Sequence, residues 1–282
     1  MDRPRADEFA RALSLAAVLA MLVACDRPAP HAQPPSACVG SPLRAYDESA
    51  GVLERVYVDL DVDGRTMPFF LDTGTPQTFR RGDADAGAKP SPTTIACIDV
   101  GLAYAHASVF AATPDGRPVG GVLGTDLLVV GGVLDLRIRD ALFVWSGKAP
   151  LLPASAITLP ATFTKSKLVV DDVTLDGKKV RLLLDTGSPH VVILSKEPRA
   201  NEIAVTSFDG TGARVQLFES TIAIAFGDGA PRRVTVDRAA SFPALERALD
   251  GIEGGEVAGV LGLGALGHER IVIAKDAVRF VL

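Results

Sequence analysis

From residue 51 onward the chain is a succession of short β-branched and aromatic runs broken by Gly, Asp and Pro. Such texture predicts strands joined by tight turns rather than helices. Residues 56–62 alternate apolar and polar side chains, Asp63-Gly64 is a two-residue hairpin signal, and 67–71 form the return strand. The pattern recurs at 168–175, Asp176-Gly177 and 180–184. Each return strand runs into an acid: FFLDTGTPQTF spans 69–79, and LLLDTGSPHVVIL spans 182–194.

The two copies hold register. Gly64 precedes Asp72 by 8 residues, Gly177 precedes Asp185 by 8, and the two acids stand 113 residues apart. Gly121-Val122-Leu123-Gly124 recurs as Gly259-Val260-Leu261-Gly262, with 25 more residues between the motifs of the second copy. Each is followed by a predicted strand pair, at 133–144 and 270–281. Two units at this spacing are a duplication, not an array of short repeats. Helical signals are sparse: 242–248 predicts a short helix, and Leu127 or Leu266 opens a single turn. Residues 146–166 carry three Pro and no clear period, so they are read as a linker between halves at 51–145 and 167–282. The expected class is mainly β.

The N-terminus has a different texture. Arg3, Arg5 and Arg11 precede an apolar run, 12–24, that is too short to span a bilayer and reads as the core of a signal peptide over 1–24. Its end, Leu22-Val23-Ala24-Cys25, resembles the bacterial lipoprotein cleavage box, which implies a lipid anchor on Cys25 and a cell-envelope location. Residues 25–50 are then the lipidated cysteine and a tether, rich in Pro and Ala up to residue 42. Cys38 and Cys97 are candidates for a disulfide in an exported chain, or two free thiols. No Cys/His spacing suggests a metal site. The net charge of −5, without a basic cluster, argues against nucleic acid as a partner.

An acid directly behind a buried strand is costly unless hydrogen bonds or a second charge stabilise it. One Asp-Thr-Gly is a common turn. Two in register, each with its own downstream Gly-Val-Leu-Gly, resemble the aspartic proteases. Each half resembles a retropepsin subunit, and both together resemble the pepsin arrangement, reduced in size. The resemblance implies a bilobal aspartic-protease fold of closed, double-psi β-barrels related by an internal pseudo-twofold axis, in a monomer. It implies a catalytic pair, Asp72 and Asp185, hydrolysing peptide bonds of a peptide or protein substrate without cofactor or metal. Thr73 and Thr186 would hydrogen-bond across the axis, Gly74 and Gly187 would admit close approach to the acids, and Thr75 and Ser188 would donate to the outer carboxylate oxygens. Gly124 and Gly262 would let the chain pass behind each loop. Two carboxylates held close share one proton and divide the roles of base and acid.

The halves are unequal. A glycine-bearing hairpin at 207–216, with Phe208, Asp209, Gly210, Thr211 and Gly212, is the candidate flap over substrate. The first half offers only a trimmed loop at 80–92. Pro76 and Pro189 stand where these families usually have a small residue. His190 reads either as a substrate contact or as a satisfied structural residue. Hydroxyls on both carboxylates would lower their pKa values and give an acidic optimum. A catalytically silent peptide- or protein-binding lipoprotein on the same fold is the alternative function.

Overall fold

The Asp-Gly turns set the register of each half. Val62 pairs with Arg65 and Leu175 with Lys178, so two residues close each hairpin. Gly64 has φ +73°, while Asp176 and Gly177 have φ +46° and +80°, the left-handed conformations that a two-residue turn needs to match strand twist. The computed structural model describes residues 40–47, 53–62, 64–81, 92–95, 98–101, 103–105, 112–129, 132–199, 201–208 and 214–282. Cys25, Cys38 and Cys97, the signal segment and the tether up to 39 lie outside the described residues.

The first half begins with β1 (Ser41–Asp47), β2 (Leu53–Val62), β3 (Arg65–Leu71) and β4 (Phe79–Arg81). It continues with the hairpin β5 (Pro92–Ile95) and β6 (Ile98–Gly101), then β7 (Ala103–Ala105), β8 (Gly121–Leu123) and one helical turn, α1 (Asp126–Val129). The pair β9 (Val133–Arg137) and β10 (Leu142–Ser146) completes it. The second half runs β11 (Ile157–Thr164), β12 (Lys167–Leu175), β13 (Lys178–Asp185), β14 (Val191–Leu194), β15 (Ile203–Phe208), β16 (Arg214–Phe226) and β17 (Arg232–Ala239). After α2 (Pro243–Leu249) come β18 (Gly259–Gly262), a 3₁₀ turn at Leu263–Ala265, β19 (Arg270–Ile273) and β20 (Ala277–Val281).

The chain is mainly β, and its halves repeat one strand plan. In the first, neighbours follow the order β1, β2, β3, β8, β4, β7, antiparallel except for β3–β8 and β4–β7. In the second the order is β11, β12, β13, β18, β14, β17, again antiparallel except at β13–β18 and β14–β17. There β16 pairs with both β17 and β12 and closes the sheet into a ring. The continuous apolar triplets at 69–71 and 182–184 follow from this plan. Their strands lie between two neighbours with both faces covered, and Phe69–Leu71 and Leu182–Leu184 are 0–3% exposed.

A further sheet joins the halves: β10, β9, β19 and β20 pair in that order, with β1 and β11 at its margins. Two sequence expectations are corrected here. Residues 41–47, assigned to the tether, form β1, where Leu43 is buried and pairs with Val58. The linker at 146–166 contains β11, whose first part pairs with β20 and whose second part pairs with β12. Pro160 obscured this strand; it sits where β11 changes partner, so its missing N–H interrupts neither ladder.

One ion network ties the halves across this sheet. Asp135 on β9 is 1% exposed and accepts Arg270 Nε and Nη2 at 2.7 Å each and Arg137 Nε at 2.9 Å. Its hydrogen bond to Arg270 raises that guanidinium's pKa. Removing the acid strands two guanidinium groups that keep some solvent contact. Asp135→Ala is therefore expected to destabilise by about 2–3 kcal/mol, below the range for a fully buried pair, read as a lower urea midpoint.

Candidate active site

β3 and β13 deliver Asp72 and Asp185 to one place. Each strand lies parallel to a glycine strand, with Leu71 opposite Leu123 and Asp185 opposite Gly262. The Asp72 N–H donates to Leu123 O at 3.0 Å. The loops then turn identically: Thr75 N–H donates to Asp72 O, and Ser188 N–H to Asp185 O, both at 3.2 Å. Behind them, Thr125 N–H donates to Thr75 O and Leu263 N–H to Ser188 O, both at 2.9 Å. A β-carbon on Gly124 would stand 2.6 Å from the Gln77 carbonyl carbon, and one on Gly262 would collide with the carbonyls of His190 and Ser188. The bare α-carbons let each loop lie against its glycine strand.

The loops are joined by crossed threonines. Thr73 Oγ1 accepts the Thr186 N–H at 3.0 Å and donates to Leu184 O at 3.0 Å. Thr186 Oγ1 accepts the Thr73 N–H at 3.0 Å and donates to Leu71 O at 2.9 Å. Both residues are at most 1% exposed. Each hydroxyl thus satisfies two backbone groups of the opposite half where water does not reach.

This lattice brings the acids together. A β-carbon on Gly187 would lie 2.8 Å from Asp72 Oδ1 and 3.0 Å from Asp185 Oδ1, so both carboxyls converge on one point. One on Gly74 would lie 2.7 Å from Asp185 Oδ2. The two carboxyls are close enough for the charge of Asp72 to act on Asp185. Asp72 Oδ1 accepts the Gly74 N–H at 2.8 Å, its Oδ2 accepts Thr75 Oγ1 at 2.6 Å, and Asp185 Oδ1 accepts the Gly187 N–H at 2.8 Å. The second hydroxyl does not follow the first: Ser188 Oγ donates to His190 O at 3.0 Å, closing a local turn within its own loop. The expected donation from Ser188 to Asp185 is thereby corrected.

Electrostatics follow the geometry. Burial, then the charge of the adjacent Asp72 carboxyl, push the Asp185 carboxyl well above its ordinary pKa, against the pull of the Gly187 and Gly74 N–H groups. The expected lowering of this carboxyl by a hydroxyl is replaced by a rise. A carboxyl whose pKa is higher folded than unfolded contributes stability that is full below its unfolded pKa and is lost as pH rises through the folded value. The penalty accumulates from about pH 4 upward. Asp185→Asn, a neutral near-isostere, is therefore expected to have a higher thermal midpoint than the parent at neutral pH. The difference should vanish below about pH 4, as melting curves across pH would show.

The acids open into a cleft of about 360 Å³ whose walls include Phe70, Leu183, Ser207, Leu217 and Leu245. A larger, shallow depression of about 670 Å³ around Asp250 and Glu256 lies away from the dyad, so volume alone does not mark the site. The hairpin predicted at 207–216 has β15 and β16 as arms, paired from Ile203–Glu219 to Phe208–Arg214. Its tip, with Asp209, Gly210, Thr211 and Gly212, lies outside the described residues, as do 82–91 of the loop expected in the first half.

Two polar pairings went unread in the sequence. Thr78 N–H and Oγ1 donate to Asp126 Oδ2 and Oδ1 at 2.8 and 2.6 Å, and Thr78 Oγ1 accepts the Gly124 N–H at 3.0 Å. Burial raises the Asp126 pKa while the Thr78 bonds oppose it. This lock fastens the Asp72 loop to α1; the corresponding positions of the second half, Val191 and Gly264, carry no polar side chain. The other pairing is that of His190, whose Nδ1 is 3.0 Å from Asp237 Oδ2. His190 borders a separate pocket of about 190 Å³ with Thr221 and Thr235, off the main cleft.

No family model matches the chain, and no curated protein matches it. It is similar to a solved structure of basic 7S globulin from soybean, at 13% identity over 87% of this chain and 95% of that one, with a TM-score of 0.45.

Proposed function

We propose that the chain is an aspartic endopeptidase, exported and held at the cell envelope through a lipid on Cys25. The observation that carries this reading is the convergence of Asp72 and Asp185 on one point, where both carboxyls line a cleft. In a pair sharing one proton, the ionised carboxylate takes a proton from water as the oxygen attacks the peptide carbon. The protonated partner gives its proton to the carbonyl oxygen. Collapse of the resulting diol then breaks the C–N bond, with a proton delivered to the leaving nitrogen. Extended peptide would lie along the cleft, strand-like, beneath the β15–β16 hairpin.

The raised Asp185 pKa supports the sharing of a proton, and it sets the pH dependence. Activity is expected to fall as pH rises through that value, so the alkaline limb lies above the ordinary carboxylate range. Digestion of a mixed peptide library by the full chain tests the reading; cleavage products under acid to neutral conditions support it. A silent peptide-binding module is the second reading, and one observation favours it: the Ser188 hydroxyl is engaged by His190 O, leaving Asp185 without the hydroxyl support that Thr75 gives Asp72. Binding of library peptides without cleavage would select this second reading.

A further inference from the structure

Behind the Asp185 loop stands a set of ionisable groups that peptide hydrolysis does not use. β16 and β17 place Glu219 directly opposite Asp237, and like charges in such cross-strand pairs repel. Asp237 is 8% exposed, and its Oδ1 is buried without a hydrogen-bond partner. A buried carboxylate oxygen in that state is costly unless a cation meets it. The neighbouring arginines are engaged elsewhere: Arg238 with Glu202 at 2.6 and 2.7 Å and with Ser195 O, Arg232 with Ala265 O, and Arg233 with Thr221 O at 3.5 Å. What completes the acids is His190, whose Nδ1 meets Asp237 Oδ2 at 3.0 Å; ligand atoms of all three residues lie within 4.8 Å of one another.

We propose that His190, Glu219 and Asp237 bind one divalent transition cation of the zinc type. One imidazole nitrogen and two carboxylate oxygens form a donor set that such ions accept, with water in the fourth position of a tetrahedron. At metal–ligand distances of about 2.0–2.2 Å, neighbouring ligand atoms of a tetrahedron stand roughly 3.3–3.6 Å apart. The observed 3.0 Å contact opens by only a few tenths of an ångström when the ion replaces the shared proton. The ion also offsets the charge of the buried Asp237 carboxylate, whose Oδ1 has no hydrogen-bond partner. Access is available from the pocket that His190 lines with Thr221 and Thr235, and from the main cleft, which Asp237 borders.

The site would act as a staple. His190 ends the Asp185 loop, and its carbonyl accepts the Ser188 hydroxyl, so an ion on its ring ties that loop to β16 and β17. This role is independent of whether the dyad is active.

The test is a titration of the chelator-stripped full chain with Zn²⁺, read by competition with a chromophoric chelator at neutral pH and by the thermal midpoint. One equivalent is expected to bind and to raise the midpoint. His190→Ala and Asp237→Asn should each weaken binding at least about tenfold, while Asp72→Asn and Asp185→Asn leave it unchanged. Should either of the first two variants fail to fold by circular dichroism, Glu219→Gln at its partly exposed position decides: a tenfold loss supports the site and unchanged affinity overturns it. Absence of stoichiometric binding in the parent, unchanged affinity in His190→Ala and Asp237→Asn, or loss of binding in the dyad variants each overturns the proposal.

Discussion

Asp72→Asn and Asp185→Asn are each expected to slow peptide cleavage by about 10²–10⁴-fold while leaving the strand plan intact. Asparagine keeps the size of the side chain and one acceptor oxygen, so the bonds from the Gly74 and Gly187 N–H groups to Asp72 and Asp185 can persist. What it removes is the capacity to exchange a proton. The pair needs one ionised and one protonated carboxyl at the same moment, and neither residue alone supplies both states. The two single variants and the double variant should therefore be similarly impaired, because the residues act as a unit. Parent and variants that are equally inert toward the library, or equally active, from about pH 3 to about pH 8 would end the enzyme reading.

Thr186→Val is expected to be the most damaging conservative change in the site. The substitution preserves shape and removes one oxygen, which accepts from Thr73 N–H and donates to Leu71 O. Both groups are then left unsatisfied at a position 0% exposed. At about 1–3 kcal/mol for each stranded group, the expected loss is roughly 2–6 kcal/mol, measured as a fall in the urea midpoint. Activity should fall further than stability requires. The lost bonds cross between the halves, and a displacement of about 1 Å between reacting groups can cost on the order of 10²-fold. Thr186→Ser retains the oxygen and should restore most of both. A valine variant within about 0.5 kcal/mol of the parent would show that the crossed threonines do not hold the halves together.

Much of the fold was legible because strand formation is a local matter here. The Asp-Gly turns, the apolar triplets at 69–71 and 182–184, and the repeated Gly-Val-Leu-Gly announce hairpins and central strands in residues only a few positions apart. The elements that went unread each depend on a partner distant in sequence. β1 is a marginal strand with one buried leucine, and only its pairing with β2 and β10 makes it part of a sheet. β11 contains a proline in a run without period, and it is a strand because β20 and then β12 receive it. The Thr78–Asp126 lock joins positions 48 residues apart, neither remarkable by itself.

The site divides in the same way. The sequence by itself determined that two Asp-Thr-Gly loops exist, in register, each behind a strand too apolar to be exposed. That information is carried by spacing and composition, which survive without coordinates. The tertiary structure alone decided what the loops do to each other. It made the threonines cross, set the carboxyls against one another so that burial and mutual charge raise Asp185, and turned the Ser188 hydroxyl toward His190. It also set Asp237 beside Glu219 and His190, residues carried by β17, β16 and the loop before β14. The physical reason is that hydrogen bonds and charges act over a few ångströms in space, at any distance along the chain.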